Sequence, residues 1–317
     1  MPKFKPEQMT FLDAVIERGA SKWPRSLGAP YQGSKNTIAR RIIDQLPPAE
    51  NFVDLFGGGG AMSHAAMLSG KYKNVINNDL DGSGQDLFRK GMNGEYRDYD
   101  RFVTRDDFFN GGASGDEKIL FSFGNDGRTY AFGKDIEPTK HKVHNLVTAR
   151  NEDDMMEACY ELSRATGMPL SECKNIVLEM KDKDLRERLS IINKQGKKIG
   201  QNLRIQPLEG IGRLNALQDI PNKDRFTFYK RSYDEVPIPE NSVVYVDPPY
   251  RGTKEYVAGG FDFDKFDKWV KDNPNQVFIS EYNMPDWAQV VDEIPKRQLM
   301  KADGEATYAT EKLFKNR

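Results

Sequence analysis

The sequence predicts an α/β fold in which one sheet carries helices on both faces and an inserted domain interrupts the chain. Strand and helix patterns alternate toward both ends, and a different pattern fills the middle. Near the first end, residues 52–79 show a strand, a glycine-rich turn, a helix and a second strand, which is a βαβ unit. We therefore expect residues 1–84 and 226–317 to form one discontinuous domain around an insertion at residues 85–225.

The elements of the first end follow from periodicity and from helix breakers. An amphipathic pattern predicts a helix over residues 4–18. A second helix, over residues 36–46, should end at Pro47 and Pro48, because proline cannot continue a helix. The βαβ unit follows, with strands at residues 52–56 and 74–79 and a helix over Ala61–Ser69.

The remaining elements are predicted in the same way. Residues 118–132 contain Asp126-Gly127, a hairpin signal that favours two short strands. Residues 152–167 and 170–181 have helical periodicity. Beyond the insertion we predict strands at residues 225–229, 242–246 and 276–280, a helix at residues 263–271 and a final edge strand at residues 312–314.

Composition excludes several classes of protein. The chain has 317 residues, of which 38% are hydrophobic and 30% charged, an ordinary globular balance. We found no apolar run near the roughly 20 residues that span a bilayer and no secretion signal, so we expect a cytoplasmic protein without membrane partners. Cys159 and Cys173 lie in helical patterns, which predicts buried or half-buried thiols. The three histidines show no metal-binding spacing.

Charge alone gives no clear partner. The net charge of -1 argues mildly against a nucleic-acid binder. Residues 181–204, however, hold eight basic and three acidic side chains. Such a segment can meet phosphates even in a neutral chain, although a solvated helix face produces the same pattern.

The glycine-rich turn predicts a nucleoside-like ligand. Gly57–Gly60 follow the first strand, and Asp79 closes the second strand 19 residues after Gly60. An acid at that place can accept hydrogen bonds from both hydroxyls of a ribose. A turn of this kind can also serve tight packing alone. No Gly-Lys-Ser/Thr follows the turn, so it is not a phosphate-binding Walker loop.

The motif Asp247-Pro248-Pro249-Tyr250 follows an apolar strand and suits chemistry on an exocyclic amine. The lone pair of such an amine is delocalised into the base, and two acceptors aimed at its hydrogens expose that lone pair. The Asp247 carboxylate and the Pro248 carbonyl are candidate acceptors, the prolines stiffen the loop, and Tyr250 offers a face for an extruded base. A rigid turn with a solvent-facing aspartate is the structural alternative.

These motifs together resemble the Dam-type, D12-class N6-adenine DNA methyltransferases, and in particular their phage-type members. The resemblance rests on segments from both ends: Tyr31-Gln32-Gly33-Ser34-Lys35, Asp54-Leu55-Phe56-Gly57-Gly58-Gly59-Gly60, Phe228-Tyr229-Lys230-Arg231-Ser232-Tyr233, Asp247-Pro248-Pro249-Tyr250, Ser280-Glu281-Tyr282 and Glu311-Lys312-Leu313-Phe314. It implies a Rossmann-like S-adenosylmethionine-dependent methyltransferase sheet with a target-recognition insertion.

The resemblance also implies the ligands and the residues that hold them. The cofactor would be S-adenosylmethionine, and the substrate an adenine flipped out of double-stranded DNA, with no metal ion. The residues implied to lie around the cofactor are Tyr31, Lys35, Asp54, Phe56, Gly58, Gly60, Asp79, Ser232, Tyr233 and Asp247. Those implied to act on the adenine are Asp247, Pro248, Pro249 and Tyr250. We expect a monomer or a weak dimer.

Other functions stay open at this point. An N4-cytosine DNA methyltransferase uses nearly the same amine chemistry, and RNA is another possible substrate. A catalytically silent DNA-binding relative would share the fold without needing Asp247 or the glycine turn. A nucleotide-binding oxidoreductase would explain the βαβ unit but not the Asp247–Tyr250 motif. The biological role, whether restriction-modification, protection of phage DNA or regulation, is not specified by these residues.

Overall fold

The structure is a computed structural model that describes residues 23–251, 260–297 and 308–317. The chain divides into two compact units. The first contains the described residues up to Gly28 together with Ser34–Gln85 and Ile220–Arg317, and the second contains Ala29–Gly33 and Asp86–Asp219. The predicted helix at residues 4–18 lies outside the described residues.

The first unit is built on one mixed sheet. Its strands are β1 (Asn51–Asp54), β2 (Asn74–Asn78), β3 (Phe226–Tyr229), β4 (Ser242–Val246), β5 (Gln276–Glu281), β6 (Gln289–Arg297) and β7 (Tyr308–Lys315). In the described part of the chain seven strands run in the order β3-β2-β1-β4-β5-β7-β6. The first five are parallel, and β7 pairs antiparallel with both β5 and β6. The predicted α/β class is confirmed, as are the strands predicted at the positions of β1 to β5.

Helices cover both faces of this sheet, as the sequence predicts. The helices of this unit are α1 (Ala39–Gln45), α2 (Ala61–Ser69), the start of α3 (Ser83–Asn93) and α11 (Phe263–Asp272). Val53 packs in one apolar cluster with Phe266 and Val270 of α11, whereas the next residue, Asp54, is bonded to Ser63 of α2. Successive strand residues point to opposite faces, so the two helices lie on opposite sides. Every residue of β1 and β4 is buried, as expected for parallel strands covered on both faces.

The second unit is helical. Its helices are the rest of α3 with α4 (Arg105–Asn110), α5 (Gly115–Leu120), α6 (Glu137–Thr148), α7 (Glu152–Thr166), α8 (Leu170–Met180), α9 (Leu185–Lys198) and α10 (Gln206–Ala216). The two helices predicted in this region are α7 and α8, which are confirmed. Cys159 and Cys173, on these two helices, are free and buried, in agreement with the prediction.

Two predictions were wrong. Residues 118–120 belong to α5, and only an isolated bridge, Ser122 to Tyr130, replaces the predicted hairpin. Here the side chains of Ser114 and Glu117 cap each other's backbone N–H, and this capping box starts a helix. The strand predicted at residues 312–314 is β7, which lies inside the sheet, and β6 takes the edge. Pro295 and several charges hid β6 in the sequence, and such residues are typical of edge strands.

Candidate active site

The carboxyl ends of the parallel strands bring the predicted motifs to one edge of the sheet. The glycine turn follows β1, Asp79 follows β2, Ser232 lies shortly after β3, and Asp247 follows β4. The chain leaves β1 toward β2 and β3 on one side and returns to β4 and β5 on the other. In open α/β sheets, ligands bind in the crevice that such a reversal creates beyond the carboxyl ends.

The glycine turn has a backbone shape that other residues adopt poorly. Gly58 and Gly60 have φ angles of 45° and 72°, where a Cβ atom is unfavourable. Gly60 is also the N-cap of α2, and no side chain caps this helix. The N-terminal end of α2 therefore lies directly after the glycine turn, and the first backbone N–H groups of a helix can bind polar groups of a ligand.

Asp79 holds the glycine turn in place. Its Oδ2 accepts a hydrogen bond from the N–H of Gly58 at 2.9 Å, and its Oδ1 accepts one from Gly82 at 2.9 Å. Burial raises the pKa of the Asp79 carboxyl, and these backbone donors oppose that rise. Each carboxylate oxygen has a second lone pair, so the side chain can brace the turn and still accept a hydrogen bond from a ligand.

The backbone of Gly28 lies close against the same turn. Its φ is +65°, and a Cβ atom there would lie 2.5 Å from the carbonyl oxygen of Gly59 and 2.6 Å from the nitrogen of Ala61. Its N–H donates to Nδ1 of His64 at 3.1 Å, and burial lowers the pKa of His64 to about 4, which favours the neutral imidazole that such an acceptor requires. The backbone of Gly28 is thus packed on the turn, and no sequence signal pointed to Gly28.

A chain of side-chain hydrogen bonds ends on Asp54 beneath the turn. Gln85 donates to Oδ1 of Asn77 at 2.8 Å, Asn77 donates to Oγ of Ser63 at 2.8 Å, and Ser63 donates to Oδ2 of Asp54 at 2.8 Å. Asp54 is 1% exposed, and its other oxygen, Oδ1, has no well-aligned hydrogen-bond donor among the described residues. Burial raises the pKa of Asp54 to about 7 despite the bond from Ser63.

The loop after β4 presents the strongest cluster of charges in the crevice. Oδ2 of Asp247 lies 2.5 Å from Nζ of Lys35, and Oε1 of Glu311 lies 3.5 Å from the same nitrogen. Nζ also lies 5.1 Å from the centre of the Tyr250 ring, and the Tyr250 hydroxyl interacts with the Asp247 carboxylate. Oδ1 of Asp247 is buried without a well-aligned donor from the described part of the chain.

The charges of this cluster control each other's ionisation. Burial raises the pKa of the Asp247 carboxyl, the Lys35 ammonium opposes that rise, and the Glu311 carboxylate adds to it. Burial alone would lower the pKa of Lys35, but the two carboxylates outweigh burial and raise it. Lys35 therefore favours its protonated form, and its charge opposes protonation of the buried Asp247 carboxylate.

Glu281, at the end of β5, fixes the far side of this loop. Its carboxylate accepts hydrogen bonds from the backbone N–H groups of Arg251 at 2.7 Å and Tyr282 at 2.6 Å. The Tyr282 ring meets the Tyr250 ring edge-on, with centroids 4.7 Å apart. The segment Ser280-Glu281-Tyr282 was noted in the sequence without a role, and its observed contacts anchor the loop after β4 against β5.

Two further predicted residues lie in an aromatic cluster beside the crevice. Phe56 stacks on Tyr233 with ring centroids 5.7 Å apart, and Phe266 and Trp269 meet Tyr233 edge-on. The Tyr233 hydroxyl is buried and has no hydrogen-bond partner within the described ranges. Ser232 instead donates to the Asp234 carboxylate.

Tyr31 is the one predicted residue that belongs to the second unit, where it is half-buried. Pro248 is buried, and Pro249 is half-buried. The sequence interpretation missed Ser63, Asn77 and Gln85, because common polar residues in a helix or strand give no signal of a network.

Neither a metal site nor a membrane-spanning helix is found in the described part of the chain. Within residues 23–251, 260–297 and 308–317, no group of three or more histidine, cysteine or carboxylate side chains could hold a metal ion. No helix in the same ranges is long and apolar enough to cross a membrane.

Comparison with known proteins adds one finding. No curated protein matches the chain significantly. Residues 31–95 match the model of a family described as D12 class N6 adenine-specific DNA methyltransferase. The matched segment includes Tyr31, Lys35, the glycine turn and Asp79. The match supports adenine methylation of DNA as the general activity. The resemblance to the D12 class N6 adenine-specific DNA methyltransferases is thus confirmed over residues 31–95.

Proposed function

We propose that this protein is a site-specific DNA methyltransferase that transfers the methyl group of S-adenosylmethionine to N6 of an adenine flipped out of double-stranded DNA. The observation that carries the proposal is the meeting of the glycine turn with the Asp247–Tyr250 loop. These follow β1 and β4, neighbouring strands whose register pairs Asp54 with Tyr245. A cofactor held at the first loop would thus lie next to a base held at the second.

The Asp247 carboxylate would act on the adenine amine. Oδ2 is held by Lys35, which leaves the buried Oδ1 to accept a hydrogen bond from N6–H. The Pro248 carbonyl would accept the second N6–H, and both acceptors would localise the nitrogen lone pair. Positive charge that develops on N6 would be stabilised by the carboxylate, which can also take the departing proton.

Tyr250 would receive the base itself. Its ring is fixed from one side by Lys35 and from another by Tyr282, so its orientation is set before the base arrives. Flipping a base costs a few kcal/mol of stacking and pairing, and a pre-oriented aromatic face returns part of this energy.

The residues at the crevice fit S-adenosylmethionine, which supplies an electrophilic methyl group when bound. Two buried polar atoms, Asp54 Oδ1 and the Tyr233 hydroxyl, have no well-aligned partner among the described residues, and they are suited to polar groups of a ligand. Asp79 can accept hydrogen bonds from ribose hydroxyls, Phe56 offers an apolar wall, and Lys35 and the backbone of Gly58 and Gly60 would line the same pocket. Tyr31 and Ser232 keep their proposed place near the cofactor on the resemblance alone.

The second unit would select the DNA site. Its segment Asp86–Asp219 falls within residues 85–225, the proposed target-recognition insertion. On α9, Arg186, Lys194 and Lys197 are exposed, and they form no ion pair with described residues. Their spacing places them on one side of the helix, where they could bind phosphates. Membership of a phage genome or of a restriction-modification system is part of this proposal on the resemblance only.

The test is methyl transfer from labelled S-adenosylmethionine to unmodified DNA by Asp247→Asn. The amide keeps the shape but loses the charge that faces the amine, so we expect the transfer rate to fall by about 100-fold or more. The dissociation constant for S-adenosylmethionine, measured by calorimetry, should change much less. Asp286→Asn, at an exposed position, is the matched control. Undiminished transfer by Asp247→Asn would refute the acceptor mechanism.

A further inference from the structure

We propose that Glu311 is a positioning residue for the transfer step, acting through Lys35 to give the Asp247 site a net negative charge. This inference rests on the proposed function. Glu311 is fully buried, at 0% exposure, and neither the family match nor the roles carried over from the resemblance assign it a function. It lies on β7, outside the matched residues 31–95.

The sheet explains how a residue near the end of the chain reaches this site. β7 runs antiparallel to β5, and the register pairs Glu281, the last residue of β5, with Lys312. The preceding residue, Glu311, therefore lies just beyond the carboxyl end of β5. This is the edge at which Asp247 leaves β4, so β7 delivers a carboxylate into the crevice from the opposite chain direction.

Lys35 is shared unequally between the two carboxylates. Its ammonium lies 2.5 Å from Asp247 and 3.5 Å from Glu311, and its side chain is 6% exposed. An ammonium has three donors on a flexible stem. The second carboxylate orients the ammonium, so that it binds Oδ2 of Asp247 and leaves Oδ1 for the substrate.

The charge count gives the energetic reason for the arrangement. Lys35 and Asp247 alone form a neutral pair, whereas the group with Glu311 carries one net negative charge. When N6 forms its bond to the methyl carbon, the bond from carbon to sulfur breaks and its electron pair stays on sulfur. The nitrogen then carries the positive charge until an N6–H proton passes to Asp247. A buried site of net negative charge stabilises that nitrogen better than a neutral pair does.

The pH dependence follows from the groups that face Asp247. These are Lys35, Glu311, Tyr250, Tyr245 and Asp54. Among these groups, Glu311 and Asp54 are the carboxylic acids. The Glu311 carboxylate raises the pKa of Asp247, and the Asp247 and Asp54 carboxylates repel each other. Removing the Glu311 charge should therefore lower the pKa of Asp247 and let it ionise at lower pH.

The experiment compares Glu311→Gln with the wild-type enzyme in single-turnover methyl transfer across pH. We expect the rate at neutral pH to fall by about 10- to 100-fold, and the acidic limb of the profile to move to lower pH. A merely structural role would lower the rate without moving the limb. Calorimetric affinity for S-adenosylmethionine and the pH dependence of unfolding without cofactor are read in parallel. The difference in free energy of unfolding between the variant and the wild type should change with pH in the acidic range. The reason is that Asp247 takes up fewer protons on folding in the variant.

Two further variants keep the result decisive. Glu293→Gln removes an exposed charge on the neighbouring strand β6 and should leave both rate and profile unchanged. Glu311→Asp keeps the charge but withdraws it by one methylene, so it should shift the limb in the same direction by less, and it decides the question if Glu311→Gln does not fold. A profile unmoved in the folded variants would overturn the role of Glu311. Absence of methyl transfer by the wild-type enzyme would instead overturn the proposed function.

Discussion

Gly28→Ala tests how closely the backbone at residue 28 must approach the glycine turn. The added Cβ would lie 2.5 Å from the Gly59 carbonyl oxygen, and real contacts of this kind begin near 3.0 Å. The turn or the segment must therefore move by at least 0.5 Å (3.0 − 2.5). Both opposing atoms are backbone, so no side chain can rotate away.

The cost has two parts that a control can separate. The φ of +65° at Gly28 strains any residue with a Cβ by about 1 kcal/mol, and forced overpacking adds roughly 1–3 kcal/mol. Gly167 has a φ of +72° and nothing within 4 Å of its hypothetical Cβ, so Gly167→Ala carries the strain alone.

Urea unfolding and calorimetry provide the two readouts. Gly28→Ala should lose about 2–4 kcal/mol of stability and Gly167→Ala about 1 kcal/mol. A shift of this size moves the backbone N–H groups that are proposed to face the ligand, so the affinity for S-adenosylmethionine should also fall. If the two variants lost equal stability and Gly28→Ala bound the cofactor normally, the close approach would play no part in the site.

Three other variants test separate parts of the site. The pKa of Asp54 is raised to about 7 in the folded protein, so the free energy of unfolding of the wild type should fall by about 4 kcal/mol as pH rises from about 4 to about 7. Asp54→Asn should abolish this fall. If urea titrations gave both proteins the same change in the free energy of unfolding across this range, the assignment would be contradicted. Tyr250→Ala should lower kcat/KM for DNA by about 10-fold or more, whereas Tyr250→Phe keeps the aromatic face and should lose less. Equal kcat/KM values for the two variants would exclude stacking of the base on Tyr250. The double variant Lys194→Gln, Lys197→Gln should lower the slope of DNA affinity against salt concentration by about 2, one for each lost phosphate contact. Lys174→Gln, at another exposed position of the second unit, should leave this slope unchanged.

Local patterns in the sequence were enough to predict the frame of the fold. The helix Ala61–Ser69 and the strand Ser242–Val246 were predicted with the bounds that the structure has, because apolar runs between glycine and proline signals are local features. The hairpin prediction failed because the capping box at Ser114 outweighed a turn signal several residues later. β6 was missed because an edge strand with a proline and charges does not show the apolar alternation of a buried strand.

The candidate site was predictable where its residues sit in motifs, and not where it depends on distant contacts. Asp247 and the glycine turn follow strands, so their meeting follows from the topology. The ion cluster of Lys35, Asp247 and Glu311 joins three separate parts of the chain, and no spacing in the sequence encodes it. The same holds for Gly28, whose importance comes from what lies opposite its Cα.

The most direct test of the central claim is to identify the methylated nucleoside. Purified protein would be incubated with labelled S-adenosylmethionine and unmodified double-stranded DNA, and the DNA then digested to nucleosides and separated. The predicted product is N6-methyl-2′-deoxyadenosine. N4-methylcytosine would keep the acceptor chemistry at Asp247 but contradict the assignment of the base. Cofactor binding without any methylated nucleoside would contradict the account of this chain as a DNA methyltransferase.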